Sequence, residues 1–203
     1  MYFRKYHFAL AAMSLLAAAP VFAQATTTVH DRNTADVQRD VNQQDRIEQG
    51  LKSGQLDSRE AGKLEKQEAH VDRMEKRDDR NGSISPAEQA RLKAAQNHVS
   101  KDIAHDKHNA ATGNPDSRSS RRLQADVQRN ANQQQRIENG LKSGSLNNRE
   151  AGKLERGQAH VDRTEARASH GGVNAREQAR IQRKENHQSA RIHNKRHNLR
   201  RHG

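Results

Sequence analysis

Duplication on two levels constrains the fold of this chain more than any other sequence feature. The segment Arg59-Glu-Ala-Gly-Lys-Leu64 recurs 90 residues later as Arg149-Glu-Ala-Gly-Lys-Leu154, and Val37-Gln-Arg39 recurs as Val127-Gln-Arg129. A chain made of two near-copies is expected to build the same structural unit twice. The copies predict a helical repeat 1 over residues 35–109 and a helical repeat 2 over residues 123–203.

A shorter unit occurs twice within each copy. It consists of a glycine, an aliphatic residue two positions later, a glutamate six positions after the glycine, a second aliphatic residue and a histidine ten positions after the glutamate. The first occurrence is Gly54, Leu56, Glu60, Leu64 and His70, and the others begin at Gly82, Gly144 and Gly171. The chain therefore repeats one local structure four times.

Each unit carries the residues that begin a helix. Ser85 precedes Pro86, and Glu88 follows three residues after Ser85, which is the spacing of an N-cap hydroxyl and a carboxylate that bonds back to it. Aliphatic spacing further upstream indicates another helix that ends near Gly50. The pattern predicts an all-α fold of two tandem three-helix repeats, with helices at 35–50, 58–77, 86–108, 123–140, 148–168 and 175–198.

The segments outside the copies are polar. Residues 110–122 contain Gly113 and Pro115 among small polar residues, which is typical of a flexible linker. Residues 24–34 are predicted to be a disordered N-terminus, so the termini are expected to be partly disordered. Repeat 2 is expected to end in a basic, His-rich helix.

The first 23 residues have the pattern of a signal peptide. Arg4 and Lys5 precede an apolar run over residues 8–19, and Ala23 closes a small-residue cleavage site. The apolar run is shorter than the roughly 20 residues that span a bilayer. We therefore expect cleavage after Ala23 and an exported protein, periplasmic or secreted, that does not span the membrane.

The second glycine unit resembles the calcium-binding loop of the EF-hand family. That loop of twelve residues places oxygen ligands at positions 1, 3, 5, 7, 9 and 12. Residues 77–88 supply candidate ligands at the last five of these positions: Asp79, Asn81, Ser83, Ser85 and Glu88. Arg77 departs from the family by occupying position 1, where an aspartate is usual. The resemblance implies degenerate EF-hand-like helix-loop-helix units and a weak Ca²⁺ site in this loop.

Two other interpretations of these units remain open. A glycine turn followed by an N-cap and a glutamate is also ordinary helix-initiation chemistry, without any bound metal. The Ser-Gly-x-Leu helix-loop-helix pattern, at Ser53 and Ser143, is similar to that of a group of uncharacterised exported bacterial proteins. This second resemblance implies export and fold but assigns no activity.

The charge of the chain, +12, lies mostly in the second copy. Residues 35–109 carry 14 Lys and Arg against 15 Asp and Glu, whereas residues 123–203 carry 17 against 8. The basic segment from Arg176 predicts binding of anionic polymers such as nucleic acid or lipopolysaccharide, or of other envelope components. Because no Phe, Tyr or Trp follows residue 23, bases could not stack on such side chains, and binding of nucleic acid would be driven by the charge of its phosphate backbone. The pair His193 and His197, one helical turn apart, makes a transition metal a further candidate.

Catalytic motifs are missing from the sequence. The chain has no cysteine and no Gly-x-Ser-x-Gly, phosphate-loop or His-Glu-x-x-His motif. We therefore expect a non-enzymatic protein without a small-molecule substrate, with a structural or binding role in the cell envelope that includes weak calcium binding. The alternative is a polyanion-binding or transition-metal-binding protein that acts through its basic, His-rich C-terminus.

Overall fold

The described part of the chain is entirely helical. The computed structural model describes residues 29–78 and 84–198, with side chains from residue 34 onward, and these residues form six helices and no strand. The helices are α1 (Val29–Ser53), α2 (Ser58–Asp78), α3 (Pro86–Asp106), α4 (Arg118–Lys142), α5 (Asn148–Ser169) and α6 (Ala175–Arg196). The predicted signal peptide, residues 24–28, the loop 79–83 and residues 199–203 lie outside the described residues. The all-α prediction is confirmed.

Four helices begin as the capping residues predict. The Ser85 hydroxyl accepts from the Glu88 backbone N–H at 3.3 Å, while the Glu88 carboxylate accepts from the Ser85 backbone N–H at 2.9 Å. The same reciprocal pair joins Asp57 with Glu60, Asn147 with Glu150 and Asn174 with Glu177. Because these bonds satisfy otherwise free N–H groups at each helix start, the starts of α2, α3, α5 and α6 follow from local sequence.

The first helix of each half is longer than its aliphatic pattern predicts. α1 begins at Val29, inside the segment expected to be disordered, and continues past Gly50 to Ser53. Gly54 is the residue with the left-handed backbone, at φ +74°, so it ends the helix in place of Gly50. Gly50 has a packing role instead, since a Cβ there would lie 2.6 Å from the Leu56 side chain.

The two halves interlock, rather than standing apart as separate three-helix units. α1 pairs most extensively with α4, and α2 with α5, whereas α3 and α6 each pack on the helix pair of their own half. Both central pairs are antiparallel, because the Gln124 amide near the start of α4 reaches the Leu51 carbonyl near the end of α1. Gly62, near the start of α2, likewise lies against Ser169 at the end of α5. A central four-helix bundle is therefore shared by the two copies.

The predicted flexible linker is bonded to the first half. The Gly113 N–H donates to the Gly54 carbonyl at 2.9 Å, and the Asn109 amide donates to the Glu60 carboxylate at 2.7 Å. α4 then starts at Arg118, with Ser117 as its N-cap, which shortens the expected linker of residues 110–122. Gly113 and Pro115 lie in the segment between α3 and α4. Their presence in the sequence does not reveal that this segment docks on the α1–α2 turn.

Equivalent bonds hold the outer helices to the bundle. The Arg46 guanidinium donates to the Ser100 hydroxyl at 2.7 Å and to its carbonyl at 3.1 Å. In the second half, Arg136 makes the same two bonds to Ser189, at 2.6 and 3.2 Å. Each of the two apolar core clusters also contains residues of both halves. The molecule is therefore pseudo-symmetric, with residue n of the first half matched by n + 90 or, after α5, n + 89.

None of the described helices combines the length and the apolar character that a bilayer crossing requires.

Gly62→Ala should lower the free energy of unfolding by about 1–3 kcal/mol, the usual cost of overpacking a closed contact. A Cβ at residue 62 would lie 2.8 Å from Ser169 Cβ and 3.3 Å from the Ala166 carbonyl oxygen, so α2 and α5 would have to separate. Urea unfolding followed by circular dichroism measures the change. Gly171→Ala is the control, because a Cβ there meets nothing within 4 Å. Equal stability of the two variants would contradict the close α2–α5 contact.

Candidate functional site: acidic clusters inside the bundle

Carboxylates occupy positions on α2 that helix bundles normally fill with apolar side chains. Glu65, Glu68, Asp72 and Glu75 follow the 3-4-3 spacing of a core-facing stripe, and each is at most 4% exposed. The matching stripe on α5 is Glu155, Gln158, Asp162 and Glu165, also buried. The aliphatic residues beside these stripes, such as Leu64 and Leu154, hold the carboxylates inside by burying both flanks of the helices.

Two groups of three carboxylates converge within this interior. Asp40 of α1 meets Asp72 and Glu75 of α2, and these three residues form the first cluster. Glu65 of α2 meets Asp162 and Glu165 of α5, and they form the second cluster. In each cluster, one oxygen from every residue lies within 4.8 Å of the others.

No cationic side chain neutralises these clusters. Among the described residues, none of the six carboxylates lies within 4.0 Å of a Lys, Arg or His nitrogen. An ionised carboxylate removed from water costs several kcal/mol unless it is paired. Six such groups cannot all be ionised in this interior without a counter-charge, so the clusters must hold protons or bind a cation.

The pKa values of the clusters show how the protons are held. Burial raises the pKa of Asp40 and that of Asp162 from 3.8 to about 7. Burial and the neighbouring carboxylates raise the pKa values of Asp72, Glu75, Glu65 and Glu165 well above their ordinary range. The Asp162 carboxyl raises the pKa of Asp72, and the Asp40 carboxyl raises the pKa of Glu75, so each of these carboxyls titrates together with its neighbour.

Glu68 lies between the two clusters. Burial raises the pKa of Glu68 well above its ordinary value. The pKa is raised further by the charges of Asp40 in the first cluster and of Glu65 and Asp162 in the second. Glu68 is 1% exposed, and neither of its carboxylate oxygens has a hydrogen-bond partner among the described residues. A buried acceptor of this kind costs about 1–3 kcal/mol, so the interior has an unmet need for a donor or a cation.

The duplicated positions differ in one respect that matters for charge. Asp40 in the first half is matched by Asn130 in the second, and Glu68 is matched by Gln158. The Asn130 amide donates to Glu165 at 2.9 Å and to Asp162 at 3.3 Å. The second cluster therefore receives an internal donor in the place where the first cluster has an additional carboxylate.

The predicted calcium loop is described only in part. Asp79, Asn81 and Ser83 lie outside the described residues. Ser85 and Glu88 bond to each other, and the Ser85 hydroxyl and N–H lower the pKa of the Glu88 carboxyl. Glu88 is thus engaged in starting α3, and calcium binding by this loop stays a prediction.

The paired histidines belong to no group of three or more potential metal ligands among the described residues, and transition-metal binding by them stays a prediction. The His193 and His197 rings stack with their centroids 4.3 Å apart, and His197 Nδ1 bonds the His193 carbonyl at 2.8 Å. His108 Nδ1 similarly bonds the Ala104 carbonyl at 2.7 Å. The groups of three or more potential ligands in the described chain contain carboxylates alone.

The acidic clusters were not recognised from the sequence, although a trace of them is present there. Glu65, Glu68, Asp72 and Glu75 repeat at core spacing, and three of the four recur in the second copy. Acidic residues on a helix usually mark its solvated face. Only the packing of α2 against α5 shows that this stripe faces inward.

The free energy of unfolding of the cation-free protein should fall as the pH rises from about 5 to 8. Carboxyls with raised folded pKa values stabilise the fold fully below their unfolded pKa, 3.8 for Asp, and this stabilisation is lost through the folded pKa, about 7 for Asp40 and Asp162. Urea unfolding in the presence of a chelator at each pH measures the profile.

Asp40→Asn should make this pH profile shallower, since it removes one of the groups that titrate near neutrality. Asp116→Asn makes the same chemical change on an exposed turn and should leave the profile unchanged. A free energy of unfolding that stays level or increases between about pH 5 and pH 8 would contradict the protonation of the clusters.

Comparison with known proteins finds no match to a family model, to a curated protein or to a solved structure.

Proposed function

We propose that the protein binds divalent cations inside its helical bundle, at the first and second clusters. The observation that supports this most directly is the convergence of three buried carboxylates in each cluster, with no Lys, Arg or His nitrogen of the described residues within 4.0 Å of them. The shell of oxygens around Ca²⁺ has a radius of about 2.4 Å, so ligands on one ion lie at most about 4.8 Å apart. One oxygen from each residue of a cluster lies within that limit of the others.

The ligand chemistry favours hard cations. Both clusters offer oxygen atoms alone, which suit Ca²⁺, Mg²⁺ and Mn²⁺ better than Zn²⁺ or Cu²⁺. Gln134 supplements the set, since its amide nitrogen bonds Asp72 at 3.2 Å and its Oε1 atom is buried without a partner among the described residues. Gln44 has the equivalent position beside Glu65, at 3.1 Å.

Cation binding would compete with protons. The raised pKa values mean that the clusters are partly protonated near neutral pH. A cation has to displace those protons, so its affinity should increase with pH and its uptake should acidify the solution. The protein would then hold protons at low pH and metal at higher pH, with one set of carboxylates serving both.

The first cluster should bind more tightly than the second. Both clusters hold three carboxylates, so the difference lies in the N–H donors around them. The first cluster accepts two side-chain amide bonds, from Gln96 and Gln134, whereas the second accepts three, two from Asn130 and one from Gln44. Each N–H donor repels a cation and satisfies an oxygen that would otherwise bind it. The unpartnered Glu68 carboxylate, close to Asp40, supports the same order.

This activity fits an exported protein of the cell envelope, the location that the predicted signal peptide favours. The calcium loop of residues 77–88 would be a third, weaker site on the same chain. Its kinship to the EF-hand family is part of the proposal and is independent of the acidic clusters.

Calorimetric titration of the purified protein with Ca²⁺, Mg²⁺ and Mn²⁺ in turn tests the proposal. We expect saturable binding of at least one of these ions, weakened at least roughly tenfold by Asp40→Asn, since even the loss of an outer partner costs 10–100-fold. Asp116→Asn serves as the control, and Asp79→Asn reports on the calcium loop separately. Wild-type protein that takes up none of the three ions at millimolar concentration would refute the proposal.

A further inference from the structure

The fold forms one groove in each half, between equivalent helices. The first groove lies between α2 and α3 and encloses about 610 Å³, and the second lies between α5 and α6 and encloses about 470 Å³. The repeated histidines line them in pairs, with His70 and His98 in the first and His160 and His187 in the second. The grooves are therefore products of the duplication, and residue differences between them show how the two surfaces diverged.

The first groove is partly neutralised. Asp102 accepts a hydrogen bond from the Gln67 amide at 2.7 Å, and it lies 3.7 Å from Lys63 and 3.6 Å from His98. Its α3 wall contains Ala94 and Ala95, which carry no charge. The only Lys and Arg side chains that line this groove among the described residues therefore stand on α2, and Lys63 is the one with an anionic partner on α3.

The second groove replaces those three wall residues by cations. Arg183, Lys184 and Arg191 stand at the positions of Ala94, Ala95 and Asp102. Arg180 also lines the groove, and no carboxylate is among the described residues that do so. The α6 wall of the second groove therefore carries four Lys and Arg side chains, whereas the described lining residues of the matching α3 wall include none.

The floor of the second groove holds one of these cations in place. Gly157 replaces Gln67, and a Cβ there would lie 2.8 Å from Arg191 Nη1 and 2.6 Å from Gln188 Cδ. The space allows Arg191 to lie across α5 and donate to the Lys153 carbonyl at 2.9 Å. An anchored guanidinium loses less side-chain entropy when it binds an anion.

Three of the four cations form a row along α6. Arg180, Lys184 and Arg191 follow one face of the helix over about 16 Å, at 1.5 Å per residue. The pKa of His160, on the opposite wall, is lowered by burial and then by cations that include Lys184 and Arg191. Such a row complements a linear series of negative charges rather than a single ion.

We propose that the α5–α6 groove binds a soluble, linear polymer of phosphate groups. The described lining residues of the groove include no Phe, Tyr or Trp on which a base could stack, so recognition is of phosphate and is independent of sequence. A flat membrane surface presents the same phosphate chemistry but does not reach Arg191 at the floor. This inference does not depend on cation binding in the bundle.

Fluorescence anisotropy with labelled inorganic polyphosphate tests the proposal at several salt concentrations. Arg183→Ala combined with Lys184→Ala gives the second groove the residues of the first, and should weaken binding on the order of tenfold at low salt. Loss of two phosphate contacts should also reduce the slope of log K against log salt by roughly 1.4, by analogy with single-stranded nucleic acid. The control is Lys93→Ala with Lys101→Ala, which removes the same charge from exposed positions on α3.

The reciprocal change, Ala94→Arg with Ala95→Lys, should increase binding through the first groove. Vesicles of phosphatidylcholine and phosphatidylglycerol form the second arm and should bind more weakly than polyphosphate. Equal losses in the groove variant and in the α3 control would overturn the proposal, as would binding to vesicles alone. The circular dichroism spectrum of each variant verifies that all helices are retained.

Discussion

The structure depends on carboxyl groups that are buried against one another where α2 crosses α5. Asp72 of the first cluster and Asp162 of the second occupy matched positions, and the charge of Asp162 raises the pKa of Asp72. Since no cationic side chain of the described residues pairs with these carboxylates, their charge has to be compensated by protons or by bound cations. The stability of the bundle, the close approach of α2 to α5 and the proposed binding activity therefore depend on one electrostatic requirement.

Duplication explains why this requirement is met inside a single chain. Each copy alone would expose its acidic stripe and the helix faces that make the α1–α4 and α2–α5 contacts. The two copies cover these faces by packing together into one bundle. Once fused, the copies were free to differ at matched positions. Asn130 takes the position of Asp40 and removes a carboxylate from the interior. Arg183 takes the position of Ala94 and adds a positive charge to a groove. The differences divide the molecule into an interior that favours cations and an outer groove that favours anions.

Local chemistry made the helices predictable. Each N-cap and glutamate pair satisfies N–H groups within four residues of sequence, so the starts of α2, α3, α5 and α6 required no knowledge of the tertiary fold. The pairing of the halves was not predictable in this way, because α1–α4 and α2–α5 contacts join residues about 90 positions apart. The docked linker has the same cause, since Gly113 bonds the distant turn at Gly54. The acidic clusters were missed because helical spacing specifies a face but not what that face contacts.

The central claim is that the cluster carboxyls keep protons near neutral pH and release them to a cation. Carbon-13 NMR titration of the labelled side-chain carboxyls measures this residue by residue. The account predicts midpoints near pH 7 for Asp40 and Asp162 in cation-free protein, and ionised carboxyls at the same pH once Ca²⁺ or another bound cation is added. Midpoints near the ordinary value of 3.8, unaffected by cations, would contradict it.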